Sequence, residues 1–251
     1  ILQQITGINA VFFYAPIIFE QSGIGTNASF MQAVLVGLVN VVFTVVAMAL
    51  IDRVGRRPLL GFGLTGIAVC MLTLAWGFGS ATYSLDQSTA DALPAEIDRQ
   101  QLALVVGTTY ESDTEFREAL FGAIGEGTYK QFESDIVSSA ITMNPTLILL
   151  AILGFVASFA VSIGPIMWVL FSELFPNSVR GIAISFVGLI NSGVAFLVTF
   201  IFPWQLETLG NAGTFLIYGL FAVAGLAFVM RILPETKGRS LEELETILIK
   251  D

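Results

Sequence analysis

Residues 136–172 read IVSSAITMNPTLILLAILGFVASFAVSIGPIMWVLFS, an unbroken run with no Asp, Glu, Lys or Arg. A helix crossing the hydrocarbon core of a bilayer needs about 20 mostly apolar residues, and this run is longer than that. Residues 21–51, 58–85, 181–206 and 208–230 are equally free of charge, and 1–19 is a sixth, shorter run. Charged residues make up 12% of the 251 positions, against about 25% in a soluble domain. Six such runs argue against buried helices of a large soluble protein. They predict an all-α polytopic membrane protein with helices near 1–20, 29–51, 58–80, 146–171, 181–203 and 213–231. Backbone groups in lipid must be satisfied within the segment, so a helix is the natural form for each run.

The charges that remain are segregated. Net charge is −9, yet eleven acids and only three bases fall between Ser80 and Pro145. The acidity belongs to one loop, so no nucleic-acid partner is expected. Bases gather instead at Arg53, Arg56 and Arg57, at Arg180, and at Arg231, Lys237, Arg239 and Lys250. The positive-inside rule then puts these loops and both chain ends in the cytoplasm of a multi-pass cell-membrane protein. The acidic insert, 81–145, falls on the opposite side, between helices over 1–80 and 146–232, with a tail over 233–251. It is too long for a tight connection. Within it Phe116, Leu120 and Ile124, then Phe132 and Ile136, recur at helical spacing, which predicts short helices forming a small cap; a flexible acidic spacer is the other reading. Cys70 is the sole cysteine and His is absent, so neither an internal disulfide, a metal centre nor a cofactor is expected. The chain opens at Ile1 inside an apolar stretch, without a basic-flanked signal peptide, and is expected to be a piece of a longer protein.

Three polar patterns interrupt the apolar runs. Gln3-Gln4-Ile5-Thr6-Gly7-Ile8-Asn9-Ala10-Val11-Phe12-Phe13-Tyr14 carries three amides into an apolar helix, where they are costly unless partnered. Amides both donate and accept, as sugar hydroxyls do. On an ideal helix Gln3, Gly7 and Tyr14 share a face while Asn9 lies about 120° away. A break near Gly7 would let all of them face one ligand, and transporter sites often use broken helices. Amide bonding between helices is the plainer reading. Gly164-Pro165-Ile166-Met167-Trp168 predicts a kink, because proline removes a backbone hydrogen bond, with an indole well away from the aqueous ends. Asp52, Arg53, Arg56 and Arg57, then Glu173-Leu174-Phe175-Pro176 with Arg180, then Pro234-Glu235-Thr236-Lys237-Gly238, could form an ionic cluster at one membrane face.

In this order the motifs resemble the C-terminal half, helices seven to twelve, of the sugar-porter family of the major facilitator superfamily. That is the family of the facilitative glucose transporters and the bacterial xylose–proton symporter. The resemblance implies sugar contacts at Gln3, Gln4, Asn9, Asn40 and Asn191, and an outer gate at Tyr14. It implies aromatic walls at Phe159 and Trp168. It also implies a conformational salt-bridge network of Asp52, Arg56, Arg57, Glu173 and Arg180. Many members carry Trp where this chain has Ser192, which removes an aromatic wall. The implied function is transport of a hexose or pentose by alternating access, with or without proton coupling, in partnership with an N-terminal six-helix half and the lipid bilayer. A sugar sensor on the same fold is the second reading. An intramembrane enzyme is disfavoured: the chain has no His and no acidic pair within its apolar runs, so a nucleophile–base or metal site lacks its parts.

Overall fold

The computed structural model describes residues 1–21, 26–175 and 179–238. Pro176 and the tail beyond residue 238, with Arg239 and Lys250, lie outside the described residues. The chain is mostly helical. It begins with α1 (Leu2–Ile5) and α2 (Ile8–Gln21), followed by α3 (Thr26–Val54) and α4 (Arg56–Gly79). The insert supplies β1 (Thr82–Ser84), α5 (Gln87–Ala92), α6 (Arg99–Leu102), β2 (Thr109–Tyr110), α7 (Asp113–Ile124), α8 (Glu126–Ala140) and β3 (Ile141–Thr142). The chain then returns through α9 (Pro145–Val161), α10 (Ile163–Leu174) and α11 (Arg180–Ile232). Among the described residues four helices are long and apolar enough to cross a membrane: Val34–Val54, Arg56–Gly79, Pro145–Leu174 and Arg180–Ile232.

Four of the expected helices are broken or joined, each for a local reason. The first is split at Gly7, whose φ of +87° suits a residue without a Cβ. The fourth is split at Ser162 (φ −129°, ψ −101°), three residues before Pro165. The proline ring has no N–H for the carbonyl four residues back and crowds it, so the helix restarts instead of bending. The fifth and sixth are continuous in helical backbone except at Gly210 (φ +68°, ψ +177°). Phe202 and Tyr218 stack at 6.2 Å between ring centroids. A straight helix would separate positions sixteen apart by about 24 Å, so α11 doubles back at Gly210 into two arms.

α4 packs most extensively against α11 and α9, meeting the second arm of α11 where Phe78 stacks on Phe215 and Leu72 lies against Gly219. Small residues let it in close: Gly63 faces Ser162, and Gly66 faces Ser158, with no room for a Cβ at either. The core runs through Leu64, Ile67, Met71, Ile148, Phe155, Phe202 and Phe215, all buried. By contrast α3 and the first arm of α11 turn large apolar side chains outward, among them Val34, Leu38, Val41, Phe186, Leu189, Phe196 and Phe200. Helices apolar on all sides belong in lipid or against another apolar surface.

The insert has its own core, separate from that of the bundle, built on Tyr83, Leu85, Leu102, Phe116, Leu120 and Ile136. Its three short strands are antiparallel in the order β2-β1-β3. Thr82 pairs with Thr142 and Tyr83 with Ile141, so the chain enters and leaves through adjacent strands. The helices have ordinary causes. Asp86, Asp98 and Ser112 cap α5, α6 and α7 by accepting from backbone N–H groups of the first turn. Phe116, Leu120 and Ile124 form one buried face of α7.

Candidate functional site

At the Gly7 break, Thr6 turns its hydroxyl back onto the Gln3 carbonyl at 2.8 Å. The Tyr218 ring packs where a Gly7 Cβ would stand, 3.1 Å away. The break swings Asn9 toward Gln4: Asn9 Nδ2 donates to Gln4 Oε1 at 2.8 Å. Gln4 Nε2 donates to Gln3 Oε1 and to Asn191 Oδ1, both at 3.2 Å. Gln3 Nε2 reaches the carbonyls of Ile163 and Gly164 at 3.4 and 3.2 Å, beside the second break. One network therefore joins α1, α2, α10 and the first arm of α11. Gln3, Gln4 and Asn191 are buried. Among the described residues Asn9 Oδ1 and Asn191 Nδ2 have no hydrogen-bond partner. The cluster thus keeps donor and acceptor capacity of the kind that a hydroxyl needs.

The aromatic candidates flank the second break. Phe159 is buried, tilted against Phe155 at 6.4 Å, and its ring lies 3.0 Å from where a Gly164 Cβ would stand. Trp168 is one turn beyond Gly164, on the same face. It is half exposed and edge-on to Phe171 at 6.0 Å. A mostly apolar cavity of about 240 Å³ runs from Gln3 past Ile163, Met167, Phe171 and Phe228. Asn40 sits half-buried on α3, and no hydrogen bond among the described residues ties its side chain to the amides. The side chain of Tyr14 lies outside the described residues, and Ser192 is exposed.

At the end with the basic loops, Arg56 pairs with Glu173 at 2.6 Å and with the exposed Asp52 at 3.1 Å. Glu173 also accepts from the Thr236 hydroxyl at 2.8 Å. Glu235 accepts from the backbone N–H groups of Arg56, Arg57 and Lys237 at 3.0, 3.1 and 2.9 Å. Burial favours its neutral form, but those N–H groups outweigh burial and hold its pKa below the usual glutamate value. Among the described residues Arg57 and Arg180 do not join acids: Arg57 donates to the Met230 carbonyl and Arg180 Nε to that of Phe175 at 3.1 Å. Both guanidinium groups satisfy chain ends, as Arg often does near helix C-termini. Sequence reasoning quoted Glu235 and Thr236 as part of a motif without giving them these roles.

At the opposite end a second ionic joint was not foreseen. Asp113 Oδ2 accepts from the Asn211 backbone N–H at 2.8 Å, at the start of the second arm of α11. Arg117 is buried, and its Nη1 donates to the Glu207 and Leu206 carbonyls at 2.7 and 3.3 Å, near the end of the first arm. Acid on free N–H groups and base on free carbonyls is the arrangement that helix ends favour. The signal in the sequence was slight: Asp113 and Arg117 each stand three residues before an apolar position, Phe116 and Leu120, and so border the buried face of α7.

Long apolar helices, two of them broken around a buried amide cluster, define a multi-pass membrane protein of the transporter class. The chain belongs to the sugar (and other) transporter family, whose profile matches residues 1–92 and 120–248. It is 31% identical over 250 residues to the arabinose-proton symporter of Bacillus subtilis (strain 168), covering all of this chain and 41% of that protein. It is 30% identical over 254 residues to the D-xylose-proton symporter of Escherichia coli (strain K12), covering 98% of this chain and 39% of that protein. The solved structure of the proton:xylose symporter XylE bound to 6-bromo-6-deoxy-D-glucose matches with a TM-score of 0.63 at 28% identity, over 98% of this chain and 40% of that one. The chain thus spans about two-fifths of the length of the curated relatives it matches. The family profile skips 93–119, inside the insert, whereas the alignment to the arabinose symporter covers the whole of this chain, insert included.

Proposed function

We propose that this chain is the C-terminal six-helix half of a twelve-helix major facilitator transporter, and that the whole protein carries a monosaccharide, a hexose or a pentose, by alternating access. The observation that carries this reading is the break at Gly7, which gathers Gln3, Gln4 and Asn9 with Asn191 and keeps donor and acceptor capacity for a hydroxyl. Each amide–amide bond is worth about 1 kcal/mol net. Sugar hydroxyls can therefore replace such bonds at little cost. Trp168 and Phe159 supply apolar surface for a pyranose face, Asn40 adds a contact from α3, and Tyr14 closes the outer gate. The insert faces outward and both chain ends face the cytoplasm.

Rocking of the two halves exposes the site to either side. The cluster of Asp52, Arg56, Glu173 and Glu235 joins the α3–α4 loop to α10 and to the segment after α11, and in this reading it forms only while the cytoplasmic side is closed. It therefore biases the equilibrium toward the outward-facing state, with Arg57 and Arg180 securing the helix ends around it. Relatives include proteins named as proton symporters. In a symporter of this build the N-terminal half would carry the coupling acid. The test is counterflow uptake of labelled glucose and xylose into liposomes by the full-length protein, with and without Gln4→Ala. Uptake that drops about tenfold or more in the variant is the expected result. Binding without uptake would instead indicate a sugar sensor, and neither binding nor uptake would point to another substrate.

A further inference from the structure

Between the insert and the first arm of α11 lies a cavity of about 380 Å³, within the range of small-molecule sites. The insert contributes Phe121, Glu126, Tyr129, Lys130 and Glu133 to it, and α11 contributes Trp204 and Glu207. The Asp113 and Arg117 joint fixes these two walls to each other. The charges interleave. Lys130 Nζ stands 2.8 Å from Glu126 and 3.7 Å from Glu207, all three largely exposed. The Tyr129 hydroxyl donates to Glu133 Oε1 at 3.4 Å, and burial next to Glu133 raises the phenol pKa, keeping that donor protonated.

The chemistry of the walls narrows the ligand. An anion entering would face three carboxylates, and a cation would compete with Lys130 for Glu126 and Glu207. A neutral polyhydroxy compound meets acceptors in the glutamates and a donor in Lys130. Trp204 is 59% exposed and gives such a compound an apolar face to lie on. Trp76, 65% exposed on α4, is an exposed indole that fits an anchor at the membrane interface.

We propose that this cavity is a second, weaker site for a neutral monosaccharide, which loads the carrier from the insert side. The proposal rests on the carrier reading above. Its test is equilibrium binding of labelled D-xylose and D-glucose to the full-length protein in nanodiscs, comparing wild type with Trp204→Ala, Glu133→Gln and Gln4→Ala. The wild type should show two sites. Trp204→Ala and Glu133→Gln should each weaken only the lower-affinity one, by about fivefold to tenfold, and Gln4→Ala only the other. Uptake KM should rise in the first two variants while maximal counterflow stays unchanged. One site, lost in Gln4→Ala and untouched in the other two variants, overturns the second site and leaves the carrier reading standing; Trp204 is then an interface anchor. No sugar binding in the wild type overturns both readings.

Discussion

Gln4 and Arg117 are both buried side chains that fasten segments far apart in sequence, yet one is a neutral amide and the other an ion. Gln4 lies mid-bundle and bonds to amides that are themselves movable side chains. Arg117 lies at one end and bonds to backbone carbonyls of a helix. The difference follows from what each bond can exchange. An amide pair can be replaced by a hydroxyl of similar strength, because neutral hydrogen bonds contribute only about 0.5–1.5 kcal/mol each. A buried guanidinium cannot lose its partners without a cost of several kcal/mol. On the proposed function the middle of the molecule swaps partners while the insert joint keeps them. The other ionic cluster, at the basic end, is intermediate: Arg56 is largely buried but Asp52 is 79% exposed.

Substitutions that confuse these classes should break the comparison. The largest loss of stability is expected for Arg117→Met, which strands two carbonyls. About 3 kcal/mol should be lost, read as a lower melting midpoint of the full-length protein in detergent. Gly7→Ala comes next. Its φ of +87° and the Tyr218 ring make alanine strained by about 1–2 kcal/mol, and sugar affinity should fall as Asn9 swings away from Gln4.

Glu173→Gln keeps an acceptor for Arg56 but removes the charge of a largely buried pair, and should cost about 1 kcal/mol of stability. Its larger effect should be on conformation. Spin labels on the two cytoplasmic halves should report a severalfold gain in the open-inward population, and unchanged distances would remove Glu173 from the latch. The smallest effect concerns pH. Glu235 is held below its ordinary 4.5, so its hydrogen bonds stabilise the fold fully above that value and are lost as pH falls through the lower folded one. A shallower fall of the melting midpoint between pH 5 and 3 in Glu235→Gln than in the wild type would isolate that contribution.

The bundle was far more legible than the insert. Charge-free runs mark the membrane helices because lipid forbids stray charge. The mismatch between Gln3 and Asn9 on an ideal helix pointed to the break at Gly7 because helical geometry is rigid. Pro165 marked the second break, although the chain restarts at Ser162, upstream of the proline. The turn at Gly210 was read as a loop, since helical backbone there continues to within a residue of the reversal. In the insert, the α7 pattern was visible but the sheet was not, because strands of two or three residues leave no period to read. Nor does sequence tell a buried arginine from a solvated one: Arg117 stands among acids and takes its partners from α11, about ninety residues away.

The most direct test of the central claim compares sugar affinity with thermal stability in Gln4→Ala, using the full-length protein and matched detergent. If the amides exist to exchange partners with a ligand, affinity should fall about tenfold or more while the melting midpoint shifts by only a few degrees. Unchanged affinity with a large drop in the midpoint would contradict the account, and would make Gln3, Gln4, Asn9 and Asn191 plain helix-to-helix bonding.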